Sequence, residues 1–179
     1  MTDDDIDAVL SGIESFYADY DLVPRQTPTG FAGALAATGL GEPIRAYRVA
    51  VASDGTPVAG ARVTERFKLM ADHIDSMPLP IAIVGRVTGL IPSDRMIRSI
   101  EINLAWHAPG RVDALRAVWD AVRFEWHDRA NTIVAIADPR GSLIEAFHVG
   151  RSFAPRVELM APVQSPVRLD LERLLYMWR

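Results

Sequence analysis

Two glutamates have the residue type and spacing that acid–base chemistry needs. Glu65 falls among the alternate positions Ala59, Ala61, Val63, Glu65, Phe67 and Leu69, an otherwise apolar face of an expected strand. Burial makes a carboxylate more basic, which suits a general base that strips a proton from an amine. The plain alternative is a register break at a bulge, or an ion pair with Arg62 or Arg66. Glu101 shares one face of a second expected strand with Asn103 and Ala105. There it meets substrate directly or through water, or it belongs to a solvated strand face. The histidines, His73, His107, His127 and His148, show no metal-ligand spacing such as His-Glu-x-x-His, so no metal is expected. His127 sits beside Arg123, Asp128 and Arg129 and reads as solvated. Neither a serine nucleophile elbow nor a Walker loop is present.

Composition narrows the classes. The chain has 179 residues, 49% hydrophobic and 23% charged, enough apolar material for the core of a single domain over 1–179. Its 19 basic and 23 acidic residues give a net charge of −4, which argues against a nucleic-acid partner. Without cysteine it has no thiolate chemistry, disulfide or cysteine-based zinc site. The opening Met-Thr-Asp-Asp-Asp does not resemble a signal peptide. No apolar run nears the roughly 20 residues that span a bilayer. No membrane partner and a cytoplasmic location are therefore expected.

The elements that must position the glutamates follow from periodicity. Thr2 can cap a helix carrying Ile6, Val9, Leu10, Ile13, Phe16, Tyr17 and Tyr20 along one stripe. Thr27-Pro28 opens a short second helix through Phe31, Leu35 and Ala36. Residues 44–52 read as a strand, Asp54-Gly55 as a hairpin turn, and about Pro57 to Leu69 as the returning strand. A short strand at Ile81–Val87 is one reading of the ambiguous stretch 78–95. Residues 97–106 alternate, with Ile100, Ile102, Leu104 and Trp106 on one face. A turn from His107 to Gly110 leads to an amphipathic helix bearing Val112, Leu115, Val118, Trp119, Val122 and Trp126. Thr132–Ala137 is an uninterrupted apolar run, expected as a central buried strand. Asp138 to Gly141 turns the chain, Ser142 caps a short helix through Leu143, Ala146 and Phe147, and extended segments follow near 156–162 and 167–176. The terminal Tyr176-Met-Trp178-Arg reads as an exposed apolar end unless it docks on a partner.

This succession, over roughly residues 44–176, resembles the GNAT superfamily of acyl-CoA N-acyltransferases. The resemblance implies an α/β (α+β) fold, a mixed, mostly antiparallel sheet flanked by helices. In that family a Gln/Arg-x-x-Gly-x-Gly/Ala loop before the long helix holds the cofactor pyrophosphate on backbone amides. The corresponding stretch here is His107-Ala-Pro-Gly110-Arg-Val112, in which Gly110 matches outright, Pro109 removes a donor and Arg111 can pair with phosphate. The resemblance thus implies acyl-CoA binding by Gly110, Arg111, Val112 and Asp113, with backbone groups of Leu104 and Trp106 along the pantetheine arm. The family's Ala-x-Tyr-x-x-x-Gly-Phe pattern matches Ala146-Phe-His148-Val-Gly-Arg-Ser152-Phe153, which puts His148 in the place of the general-acid tyrosine. Glu101 lies on the strand that splays in the family to admit the thioester. The family's strand before the first helix has no counterpart here; it is absent, or comes from a neighbouring domain, subunit or tandem half.

The expected function is acyl-CoA-dependent N-acyl transfer, most simply from acetyl-CoA, to a small-molecule or peptide amine. The expected catalytic residues are Glu65 or Glu101 as base and His148 as acid, in a monomer or a homodimer. Two alternatives stand beside it. One is a catalytically inactive GNAT-like domain for binding or assembly. The other is a carrier-protein-dependent acyltransferase docking through Arg111, Arg116 and Arg123.

Overall fold

A computed structural model of the chain describes residues 3–79, 85, 91–147, 170 and 172–176. Helix α1 (Asp3–Phe16) buries Ile6, Val9, Leu10 and Ile13, and the stripe continues beyond it into buried Tyr17 and Tyr20. Strand β1 (Tyr20–Asp21) follows, then α2 (Pro28–Leu35), where the Thr27 hydroxyl accepts from the Gly30 amide at 3.1 Å and Phe31 is fully buried. Strands β2 (Thr38–Gly39) and β3 (Glu42–Pro43) form a minimal antiparallel pair.

The main sheet begins with β4 (Arg45–Val51) and β5 (Pro57–Thr64), turned back on each other at Asp54-Gly55, where Gly55 has φ +86°. After the small pair β6 (Asp72–His73) and β7 (Met96–Ile97) come β8 (Ser99–His107), α3 (Val112–Trp126) and β9 (Thr132–Ala135). The sheet order is β4-β5-β8-β9, antiparallel except for the β8–β9 pair. Parallel neighbours need a crossover, and α3 supplies it. Helix α4 (Leu143–Ala146) and strand β10 (Leu174–Leu175) complete the described elements, β10 pairing in parallel with β1.

The sheet separates two cores. On one face Ala59, Ala61, Val63, Ile100 and Ile102 pack against Leu115, Val118, Val122 and Trp126 of α3. On the other, Leu104 and Trp106 meet Val9 and Ile13 of α1, Phe31 of α2 and Tyr176. Removing a fully buried leucine such as Leu115 costs about 2–5 kcal/mol.

Several expectations are corrected. Strand β5 stops at Thr64, because a 3-10 turn over Arg66–Lys68 curls Lys68 back onto Glu65. Thr132–Ala137 yields a strand only to Ala135, half-buried and outermost among the described strands. Ile133 and Ala135 join the α3-side core, but the strand is not buried on both faces. Tyr176 is buried, not part of an exposed end, because its ring packs edge-on against Tyr17. Thr2, Trp178, the segment 156–162 and the strand expected at 81–87 lie outside the described residues, apart from Gly85, which is helical.

Candidate functional site

Strands β8 and β9 pair from Ser99–Thr132 to Ile102–Ala135 and no further, while β8 runs on to His107. Among the described residues the sheet therefore opens along the second half of β8. At the start of that opening β8 carries a bulge. Its pairing with β5 shifts between Gly60–Trp106 and Arg62–Asn103, leaving Leu104 and Ala105 opposite Ala61. Leu104 has φ +46°, a left-handed conformation that costs a non-glycine residue about 1–3 kcal/mol. Tyrosines offset that cost. Tyr47 donates to the Leu104 carbonyl at 3.0 Å, the Leu104 amide donates to Tyr176 at 3.3 Å, and Tyr17 donates to the Ala105 carbonyl at 2.7 Å. Burial pushes all three phenols above the usual tyrosine range, so each stays protonated. The bulge moves Leu104 and Trp106 to the α1 side, away from Ile100 and Ile102, which corrects the expected single face.

Glu101 is buried beside this opening. Its carboxylate lies 3.5 Å from Arg66 and accepts from the Asn103 amide at 3.4 Å. Asn103 in turn accepts from Arg62 at 2.6 Å. Glu101, Asn103, Tyr17, Leu143, Phe147 and Tyr176 border a cavity of about 10 Å³, room for a single water.

Glu65 is equally buried but held on the α3 side. One carboxylate oxygen accepts from the Trp126 indole at 2.6 Å and from Arg129 at 3.3 Å, and the other lies 2.7 Å from Lys68. These contacts tie the end of β5 to the end of α3. Glu65 and Glu101 thus do not share a site.

The start of α3 carries the other expected groups. Gly110 has φ +72°, and a Cβ built on it would meet nothing within 4 Å. The Arg111 amide donates to Ala108, whereas those of Gly110, Val112 and Asp113 have no acceptor among the described residues. Arg111 pairs with Asp113 at 3.4 Å on the surface. Of the backbone groups expected along a pantetheine arm, both of Leu104's are engaged by tyrosines. Ala108 donates to Val58, so antiparallel alternation turns the Trp106 backbone toward β5 and that of His107 toward the edge β9 has left.

His107 spans the opening. Its Nε2 lies 2.8 Å from the Ser142 hydroxyl and its ring packs edge-on against Phe16. Ser142 accordingly makes no side-chain cap for α4, contrary to expectation. His148 and Ser152 lie outside the described residues. Among the described residues no group of His, Asp and Glu could hold a metal ion, and no helix is long and apolar enough to cross a membrane. Sequence reasoning missed Arg62 and the tyrosines as site residues. The available signal was polar side chains two apart on adjacent strands: Arg62 and Thr64 on one, Glu101 and Asn103 on the other.

No protein-family model matches the chain, and no curated protein matches it significantly. Among solved structures it is similar to a predicted acetyltransferase from Clostridium acetobutylicum, determined with acetyl-CoA. That likeness has a TM-score of 0.51 at 16% identity, covering 89% of this chain and 92% of the other. A chain described as a "putative acetyltransferase" from Agrobacterium tumefaciens str. C58 aligns with a TM-score of 0.48 at 13% identity, over 89% and 96% of the two chains. The fold is GNAT-like: mixed α/β, with a mostly antiparallel, open sheet between helices.

Proposed function

We propose that the chain is an acyl-CoA-dependent N-acyltransferase, acting from acetyl-CoA or another acyl-CoA on a primary amine. One observation carries this reading: β8 and β9 part beyond Ile102–Ala135, with buried Glu101 beside the parting. The free amides of Gly110, Val112 and Asp113 at the start of α3, toward which β8 leads, fit a diphosphate. The Clostridium acetobutylicum structure, determined with acetyl-CoA, supports the same choice of co-substrate.

In this reading Glu101 takes a proton from the ammonium, directly or through the water-sized cavity, and the freed amine attacks the thioester carbonyl. The tetrahedral intermediate collapses with cleavage of the C–S bond, the thiolate leaves with a proton from His148, and the second proton of the attacking nitrogen passes to His148 in return. Glu65 is assigned to holding α3 against β5. Admitting a pantetheine arm requires the His107–Ser142 contact to part and Leu143 and Phe147 to move aside. The acceptor is a small-molecule or peptide amine, and the setting a cytoplasmic protein, monomeric or homodimeric.

Thermal unfolding with acetyl-CoA tests the binding step. Stabilisation follows RT ln(1 + [L]/Kd), about 2.7 kcal/mol at 100 times Kd. Thiol release across an unbiased amine panel then tests turnover. No stabilisation at millimolar acetyl-CoA favours a second reading, a non-catalytic GNAT-like binding or assembly domain. Pro109, which lacks an amide, and the His107–Ser142 contact across the opening speak for it. A carrier-protein reading gains less, since Arg111 pairs with Asp113, Arg123 with Asp120, and Arg116 donates to the Glu145 carbonyl.

A further inference from the structure

Arg62 is more than nine-tenths buried, yet it makes no salt bridge among the described residues. Its Nε donates to Asn103 at 2.6 Å, and both terminal nitrogens lack a partner among the described residues. An arginine head carries donors suited to a bidentate anion, and these terminal nitrogens are not among the fully enclosed unpartnered atoms, so they keep contact with solvent. Burial lowers its pKa, the expected sign for an under-compensated cation. Of the charged side chains around it, Arg45 adds to the positive charge and Glu101 offsets part of it. Arg45, also on the α2-facing side of the sheet, donates to the Ala34 carbonyl and keeps a buried Nε without a partner among the described residues. Arg66 is already matched to Glu101. Tyr47 and Tyr176, the other near neighbours, are neutral.

Asn103 links this cation to the proposed base, accepting from Arg62 and donating to Glu101. An amine whose ammonium meets Glu101 would therefore bring any nearby anionic substituent toward Arg62. We infer that the acceptor is an amino acid-like zwitterion whose carboxylate is bound by Arg62. This rests on the acyltransferase reading for the chemistry, but not for the anion site itself. A monoanion suits one free guanidinium next to a carboxylate, whereas the second charge of a phosphate would face Glu101.

The test compares the common L-amino acids, β-alanine and 4-aminobutyrate with their methyl esters and decarboxylated amines, in wild type, Arg62→Lys and Arg62→Met. Binding is read by thermal shift without acyl-CoA, and turnover by thiol release with acetyl-CoA. We expect the free acids alone to stabilise the wild type, and to exceed their esters by about 10²-fold in kcat/KM. Arg62→Met should abolish the preference by raising the amine KM while leaving the acetyl-CoA KM unchanged. It should leave the melting temperature nearly unchanged, because Arg62 makes one hydrogen bond, to Asn103, among the described residues. Esters or plain amines binding as well as acids would overturn the inference, as would better binding of phosphoethanolamine. A marked drop in melting temperature for both Arg62→Met and Arg62→Lys would assign Arg62 to the fold and overturn it too. If acetyl-CoA binds and the acids do not, only this inference fails. If the acids bind and acetyl-CoA does not, it stands while the transferase reading fails.

Discussion

The Tyr17 hydroxyl donates a 2.7 Å hydrogen bond to the Ala105 carbonyl, joining the end of α1 to the point where β8 changes faces. The donor is buried, so nothing of equal geometry replaces it. Tyr17→Phe leaves the carbonyl without that partner and should destabilise the protein by about 1–3 kcal/mol. Urea unfolding should show a lower midpoint at unchanged slope. An unaltered midpoint would mean the bulge does not depend on this bond.

The two buried glutamates should separate by assay. Glu65→Gln weakens the contacts to Lys68 and Arg129 and should cost stability, about 1–3 kcal/mol, with kcat preserved. Glu101→Gln should lower kcat by about 10²–10⁴-fold while acetyl-CoA binding persists. Steady-state kinetics and chemical unfolding on both variants check this. Retained turnover in Glu101→Gln would remove it as the base.

Gly110 offers a probe of the start of α3. Gly110→Trp places a large side chain where nothing lies within 4 Å of the Cβ, so the core is spared and the cost is the left-handed φ, about 1–2 kcal/mol. Acetyl-CoA affinity, measured by titration calorimetry, should fall at least tenfold. Unchanged affinity would move the diphosphate site elsewhere.

Asp138 predicts an acid-sensitive joint. Hydrogen bonds from Arg140, first from its side chain and then its backbone, with one from the Leu175 amide, hold its carboxyl far below the usual aspartate range. A carboxyl with a depressed folded-state pKa contributes stability above its unfolded value, about 3.9, and loses it as pH falls below that value. Asp138→Asn should therefore lose about 1.5–3 kcal/mol at neutral pH. Its unfolding free energy should also fall less steeply than that of the wild type between about pH 4 and 2.

Periodicity made the helices and the hairpin readable, because Ile6 to Ile13 and Val112 to Trp126 each present one apolar stripe to one core. It failed at Leu104. Both faces of β8 are apolar there, so unbroken alternation through Ile100, Ile102, Leu104 and Trp106 conceals a change of side. A positive φ at leucine has no side-chain signature, since the tyrosines that stabilise it come from 57 to 88 residues away. The role of Glu65 was hidden for the same reason: Trp126 and Arg129 lie 61 and 64 residues on. Glu101 was legible because its strand had to be one of the few long ones, and Asn103 beside it marked a polar spot. Ser142 looked like a cap, but its hydroxyl is taken by a histidine from another element.

The pairing of β1 with β10, reinforced by Arg173 bonding to Asp21 across 152 residues, has a kinetic meaning. Closing a loop of that length costs about 4–5 kcal/mol in chain entropy, so it belongs late in folding. During synthesis Leu104 must wait for Tyr176 to emerge from the ribosome before its amide finds a partner. Until then the bulge lacks one of its clamps, and the nascent chain has a nearly complete sheet without a finished cleft.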